Sequence, residues 1–171
     1  MKKSLVLTGM MGVGKSTLGK ILSLKLNSKF IDVDTLIEKR EKMSIQNIFR
    51  KKNETYFREI EKKITLEVLD DTPAVIALGG GAFINKTIRD KVLKNSVSFW
   101  LDANIITLSK RMSNKKKRPL LDKESPKAEL GKLYAERKDT YKLANFKIDC
   151  SKYSKNEIIK HVLKVYEKNR N

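Results

Sequence analysis

Along this chain, short unbroken apolar runs alternate with longer stretches in which apolar residues recur every three or four positions. The runs Leu5–Thr8, Phe30–Val33, Ala74–Leu78, Val97–Leu101 and Phe146–Cys150 are rich in branched or aromatic side chains and predict five strands. Apolar runs without alternation suit strands covered on both faces, as in a parallel sheet. Within Ser16–Leu26, the residues Leu18, Ile21, Leu22 and Leu26 share one helical face, and Phe57, Ile60, Ile64, Val68 and Leu69 do the same within Thr55–Leu69. The final helix is predicted to open at Ser154, because Ser154 and Glu157 have the spacing of a capping box. Its buried stripe is Ile158, Ile159, Val162, Leu163 and Tyr166. Strands separated by helices predict an α/β fold on a mostly parallel sheet.

Size and composition narrow the class. The 171 residues are expected to form one domain, 1–171, burying roughly 70 per cent of the unfolded surface. No apolar run approaches the roughly 18 residues needed to span a bilayer. Met1-Lys2-Lys3 leads straight into the first strand and leaves no room for a signal peptide. The lone Cys150 excludes an internal disulfide and reads as a small core residue at a strand end. These features predict a cytoplasmic protein with no membrane partner, and a monomer is the default at this size. The net charge of +18 would speed capture of anions. Nucleic acid is not expected as a partner, because the basic residues are not interleaved with aromatic rings as a stacking platform requires.

The chemistry starts at Gly9–Thr17. Gly9, Gly14, Lys15 and Ser16 fit the phosphate-cradling pattern GxxxxGK[ST], placed between a strand-like run and a helix-like one. Glycines let successive backbone N–H groups turn inward around an anion, and the positive end of the following helix faces the same point. Gly12, Val13, Gly14, Lys15, Ser16 and Thr17 are therefore candidate contacts to a nucleoside triphosphate. Lys15 is placed to reach the β- and γ-phosphates, and Ser16 to ligate Mg²⁺.

A phosphate loop alone does not name a reaction. Asp32-Val33-Asp34 closes the second strand, where alternate residues are expected to share one side. Arg58 and Glu61 lie three apart on one helix face. Gly79-Gly80-Gly81 follows the third strand, at the carboxyl end where α/β proteins place ligands. Lys110–Arg118 carries six basic residues in nine and no acid, which predicts a mobile lid over about residues 110–124. Arg118-Pro119-Leu120-Leu121 lies in that flap, and Glu136-Arg137 follows with Tyr141 one turn later. Taken in this order, these elements resemble the shikimate kinase family, small P-loop kinases with a fold similar to the nucleoside monophosphate kinases. The resemblance runs from the P-loop to the final helix.

It implies a three-layer P-loop kinase, with a five-stranded parallel sheet flanked by helices and a mobile lid. It also implies ATP-dependent phosphorylation of the 3-hydroxyl of shikimate on the route to chorismate and the aromatic amino acids, with Mg²⁺ required. The acceptor region would span about 32–62. Arginine forks pair with carboxylates, so Arg58 and Arg137 are the expected clamps on the acid group. Asp34 suits two adjacent hydroxyls and is the choice for orienting the attacking one and accepting its proton. The amides of Gly79, Gly80 and Gly81 would approach the acceptor closely. The third strand ends Ala77-Leu78-Gly79 without a carboxylate, so Asp32 is implied to act on the metal through water. Arg118 would be an arginine finger supplied in cis, completing a catalytic set with Lys15 and Asp34. Arg111 resembles the residue that stacks on adenine, with the loop Ser151–Ser154 on the base's other side; Cys150 stands where the family usually carries Thr. A small-molecule P-loop kinase for gluconate or nucleotides is the alternative, followed by a nucleic-acid-associated P-loop protein.

Overall fold

The computed structural model describes residues 2–113 and 126–171. Its five strands are β1 (Ser4–Thr8), β2 (Phe30–Asp32), β3 (Val75–Ala77), β4 (Ser96–Asp102) and β5 (Phe146–Asp149). They form one parallel sheet in the order β2-β3-β1-β4-β5. The helices are α1 (Lys15–Lys25), α2 (Val33–Glu41), α3 (Ile45–Lys52), α4 (Glu54–Asp70), α5 (Lys86–Asn95), α6 (Ile105–Ser113), α7 (Pro126–Tyr141) and α8 (Lys155–Asn169).

β1 lies at the centre because its side chains suit nothing else. Leu5, Val6 and Leu7 have no solvent exposure, and Leu7 is flanked by Ala77 on β3 and Phe99 on β4. The chain leaving β1 heads toward β2, whereas the chain leaving the adjacent β4 heads toward β5. Where neighbouring connections diverge, a crevice opens at the carboxyl ends of the strands. Helices flank the sheet: α1 packs with α8, and α4 with α2, α3 and α5. The approach of α1 to the sheet depends on Gly19, since a Cβ there would lie 2.3 Å from the Phe30 ring.

The apolar stripes read from the sequence are buried, with Leu18 and Leu22 on α1, Phe57, Ile64 and Val68 on α4, and Ile158, Ile159, Val162 and Tyr166 on α8. The capping box also forms: Ser154 N–H donates to Glu157 Oε2 at 2.8 Å, and Glu157 N–H donates to Ser154 Oγ at 3.3 Å. Cys150 is buried just past β5, where burial pushes its thiol up to about 12. Among the described residues, no helix is long and apolar enough to cross a membrane.

One expectation needs correction. The second strand ends at Asp32, and Val33 and Asp34 belong to the first turn of α2. Asp32 caps that helix by accepting from Thr35 N–H at 3.2 Å, which turns the chain away from the sheet. The first four residues of the expected lid, Lys110–Ser113, form the last turn of α6. That turn is anchored: Met112 is buried, and the Arg111 guanidinium donates to Val13 O at 3.0 Å. The rest of the predicted flap, including Arg118 and Pro119, lies outside the described residues.

Candidate active site

Gly9–Gly14 bends around the carboxyl end of β1 through left-handed backbone at Gly9, Gly12 and Gly14, with φ of 131°, 79° and 110°. Such angles are open to glycine at little cost. Gly14 caps α1 with no side-chain acceptor, and the first turn of the helix borders a cleft of about 400 Å³. Gly12, Val13, Gly14, Lys15, Ser16, Thr17, Asp32, Asp34 and Arg111 all line that cleft. The Lys15 ammonium donates to Gly9 O at 2.7 Å and Met10 O at 3.1 Å, holding the loop in its curve. Ser16 Oγ donates to Asp32 Oδ2 at 2.5 Å. Asp32 therefore splits its carboxylate, one oxygen on the helix cap and the other beside the phosphate loop. Cys150, Tyr153 and Lys155 line the cleft as well, bringing the start of α8 to the side expected to meet a base.

A second cavity, of about 390 Å³, lies beyond the Gly79–Gly81 turn and is lined in part by Glu54, Arg58, Glu61, Gly81 and Arg137. The glycines sit between side chains of the two cavities, Asp34 of the first and Glu61 of the second, and are required by what crowds them. A Cβ on Gly79 would lie 2.5 Å from Glu61 Oε1 and 2.6 Å from Asp34 Oδ1; one on Gly81 would lie 2.5 Å from Arg58 Nη1. Placing Asp34 in the first turn of α2 is what brings it here. Its separation from Asp32 comes from a helix start, not from strand alternation.

Arg58 is held by two glutamates of its own helix. Its Nη1 donates to Glu61 Oε2 at 2.7 Å, while Nη2 and Nε donate to Glu54 Oε1 at 3.0 and 3.2 Å. Burial opposes charge on Arg58, but the glutamates outweigh it and hold the guanidinium above its ordinary pKa. Burial pushes the Glu61 carboxyl above its ordinary value against the pull of Arg58, and nearby Asp34 adds to the rise. From α7, Arg137 Nη1 donates to Gly80 O at 3.4 Å, and the Tyr141 hydroxyl donates to the same carbonyl. Tyr141 is fully buried, stacks on Trp100, and has its phenol pushed up to about 12 by burial. It therefore remains a donor at neutral pH.

Every proposed site residue within the described portion falls on one of these two cavities or on the glycine turn. Arg118 lies outside that portion. The sequence reading passed over Glu54 and gave Tyr141 no task. The available signals were the four-residue spacing of Glu54 and Arg58 and the one-turn spacing of Arg137 and Tyr141.

The sequence profile described as "Shikimate kinase" matches residues 11–167. The shikimate kinase of Sulfurihydrogenibium sp. (strain YO3AOP1) is 41% identical over 161 residues, covering 94% of this chain and 96% of that relative. The structure of shikimate kinase from Acinetobacter baumannii in complex with shikimate superposes with a TM-score of 0.93 at 28% identity, covering 99% of this chain and 96% of that one. Shikimate kinase from Aquifex aeolicus superposes with a TM-score of 0.84 at 34% identity, covering 97% of each chain. Phosphate loop, glycine turn and flanking arginines thus lie in a sequence and a fold matched nearly end to end, and the chain belongs to the shikimate kinase family.

Proposed function

We propose that this chain transfers the γ-phosphoryl group of ATP to the 3-hydroxyl of shikimate, giving shikimate 3-phosphate for aromatic amino acid synthesis. The observation that carries this reading is the meeting of a phosphate loop with Asp34, Arg58 and Arg137 at one glycine turn. Shikimate offers one carboxylate and three hydroxyls on a ring. A carboxylate suits the guanidinium forks of Arg58 and Arg137, and neighbouring hydroxyls suit Asp34 as acceptor.

Phosphoryl transfer asks mostly for in-line positioning and neutralisation of charge. The amides of Gly12–Thr17 take the phosphates, and the Lys15 ammonium turns from the carbonyls of Gly9 and Met10 to the β- and γ-phosphates. Arg111 and the loop after β5 take the adenine. Asp34 orients the attacking hydroxyl and takes its proton; a loose transition state needs little more from a base. Arg118 closes on the transferring group.

Mg²⁺ fits the residues present. Ser16 Oγ and Asp32 Oδ2 are hard oxygen donors 2.5 Å apart on the cleft wall. Mg²⁺ characteristically takes only one or two protein oxygens beside phosphates and retained waters. Ser16 would hold the ion directly and Asp32 through water; when bound, it neutralises charge on the phosphate oxygens.

A coupled assay of ADP release across shikimate, gluconate and nucleoside monophosphates tests the reading. Turnover with shikimate alone is expected. A higher kcat/KM for either of the other acceptors would overturn it.

A further inference from the structure

The Arg58 guanidinium has little capacity to spare. Nη1 is pinned between Glu61, whose side chain is 2% exposed, and the backbone of Gly81, which leaves no room for a methyl group there. The side-on edge formed by Nε and Nη2 is the natural seat for a second carboxylate. In this structure one oxygen of Glu54 occupies it. The two glutamates differ in character. Glu61 is walled in, whereas the Glu54 side chain is 53% exposed and begins α4, where the positive helix end stabilises a carboxylate even without a partner.

We propose that Glu54 is a displaceable placeholder for the substrate carboxylate: it holds the Nε/Nη2 edge of Arg58 until substrate binds and must leave when the acid group docks. This rests on the reading of Arg58 as the carboxylate clamp. The placeholder keeps the guanidinium oriented toward the cavity and keeps a charged, half-buried group paired between turnovers. In return, shikimate must compete with an internal carboxylate.

The test is the dissociation constant for shikimate by titration calorimetry. Glu54→Gln is expected to tighten binding about two- to fivefold, the range for releasing an exposed ion pair. Glu54→Asp, one methylene too short for the pairing, is expected to tighten it as well. A cyclohexenetriol lacking the carboxyl group never reaches Arg58 and should show the same KM in wild type and E54Q. Unchanged or weaker shikimate binding in E54Q overturns the proposal. So does a tight E54Q beside a wild-type-like E54D, because that pattern means repulsion at a distance, not occupancy. Arg58→Ala separates the two levels. If it leaves shikimate binding intact, the carboxylate clamp falls and the placeholder with it. If it weakens binding while E54Q fails to tighten it, only the placeholder falls.

Discussion

Replacing Gly79 by alanine would place a methyl group between Glu61 and Asp34. The added Cβ would lie 2.5 Å from Glu61 Oε1 and 2.6 Å from Asp34 Oδ1. To reach an ordinary contact near 3.4 Å, the Asp34 carboxylate must retreat by about 0.8 Å and Glu61 by slightly more. Both clashing atoms are side-chain ends, and Gly79 does not have a left-handed backbone, so the fold can yield at modest cost. Glu61 has little room to move, being buried and paired with Arg58, so the added methyl group must shift toward the less buried Asp34, which takes most of the displacement. A misplacement near 1 Å in a positioning group costs about 10²-fold in rate, equivalent to about 2.7 kcal/mol of transition-state stabilisation. Gly79→Ala should therefore lose about two orders of magnitude in kcat/KM for shikimate while melting within a few degrees of wild type. The coupled assay gives the first quantity. Thermal unfolding followed through Trp100, the single and buried tryptophan, gives the second. Activity within threefold of wild type would refute the reasoning, since Asp34 would then have moved without consequence.

Other perturbations test the remaining parts. Lys15→Met removes the ammonium from the phosphate loop and should leave less than about a tenth of wild-type turnover, the scale expected for a preorganised charge at the reacting phosphate; the coupled assay at saturating ATP checks this. Tyr141→Phe keeps the stack on Trp100 but, among the described residues, leaves the Gly80 carbonyl with the long contact to Arg137. Loss of this part-buried bond should cost about 0.5–1.5 kcal/mol of stability, readable by urea unfolding, and a midpoint equal to wild type would contradict the bond. Glu61 gives a pH test. Because its folded-state pKa is raised, the folded chain binds its proton more tightly than the unfolded one, so its contribution is complete at acid pH and lost as pH rises through the raised value. Melting temperatures of wild type measured relative to Glu61→Gln should fall as pH rises above the ordinary glutamate range. A flat or rising difference would reverse the assignment.

The sequence by itself determined the parts whose physics is local. A strand run into GxxxxGK[ST] dictates a phosphate loop because glycine spacing and a helix start are properties of a few neighbouring residues. The stripes of α1, α4 and α8, the Ser154 capping box and the buried Cys150 follow from helical period and hydrophobicity alone. Asp32-Val33-Asp34 marks the boundary of that reasoning. Its pattern fits a strand as readily as a capped helix start, and the bond from Thr35 N–H to Asp32 decides for the helix. Only the tertiary structure decided that Asp34, Glu61 and Arg58 crowd one glycine turn, that Tyr141 bonds a carbonyl 61 residues away, and that Glu54 fills the edge of Arg58 left open by Glu61. Those facts depend on distances between segments remote in the chain, which are set by the parallel crossover order β2-β3-β1-β4-β5 and the packing of α4 and α7 around the turn. Residue spacing encodes the direction of a side chain from its own backbone; what that side chain meets is fixed only when the sheet brings the other segment there.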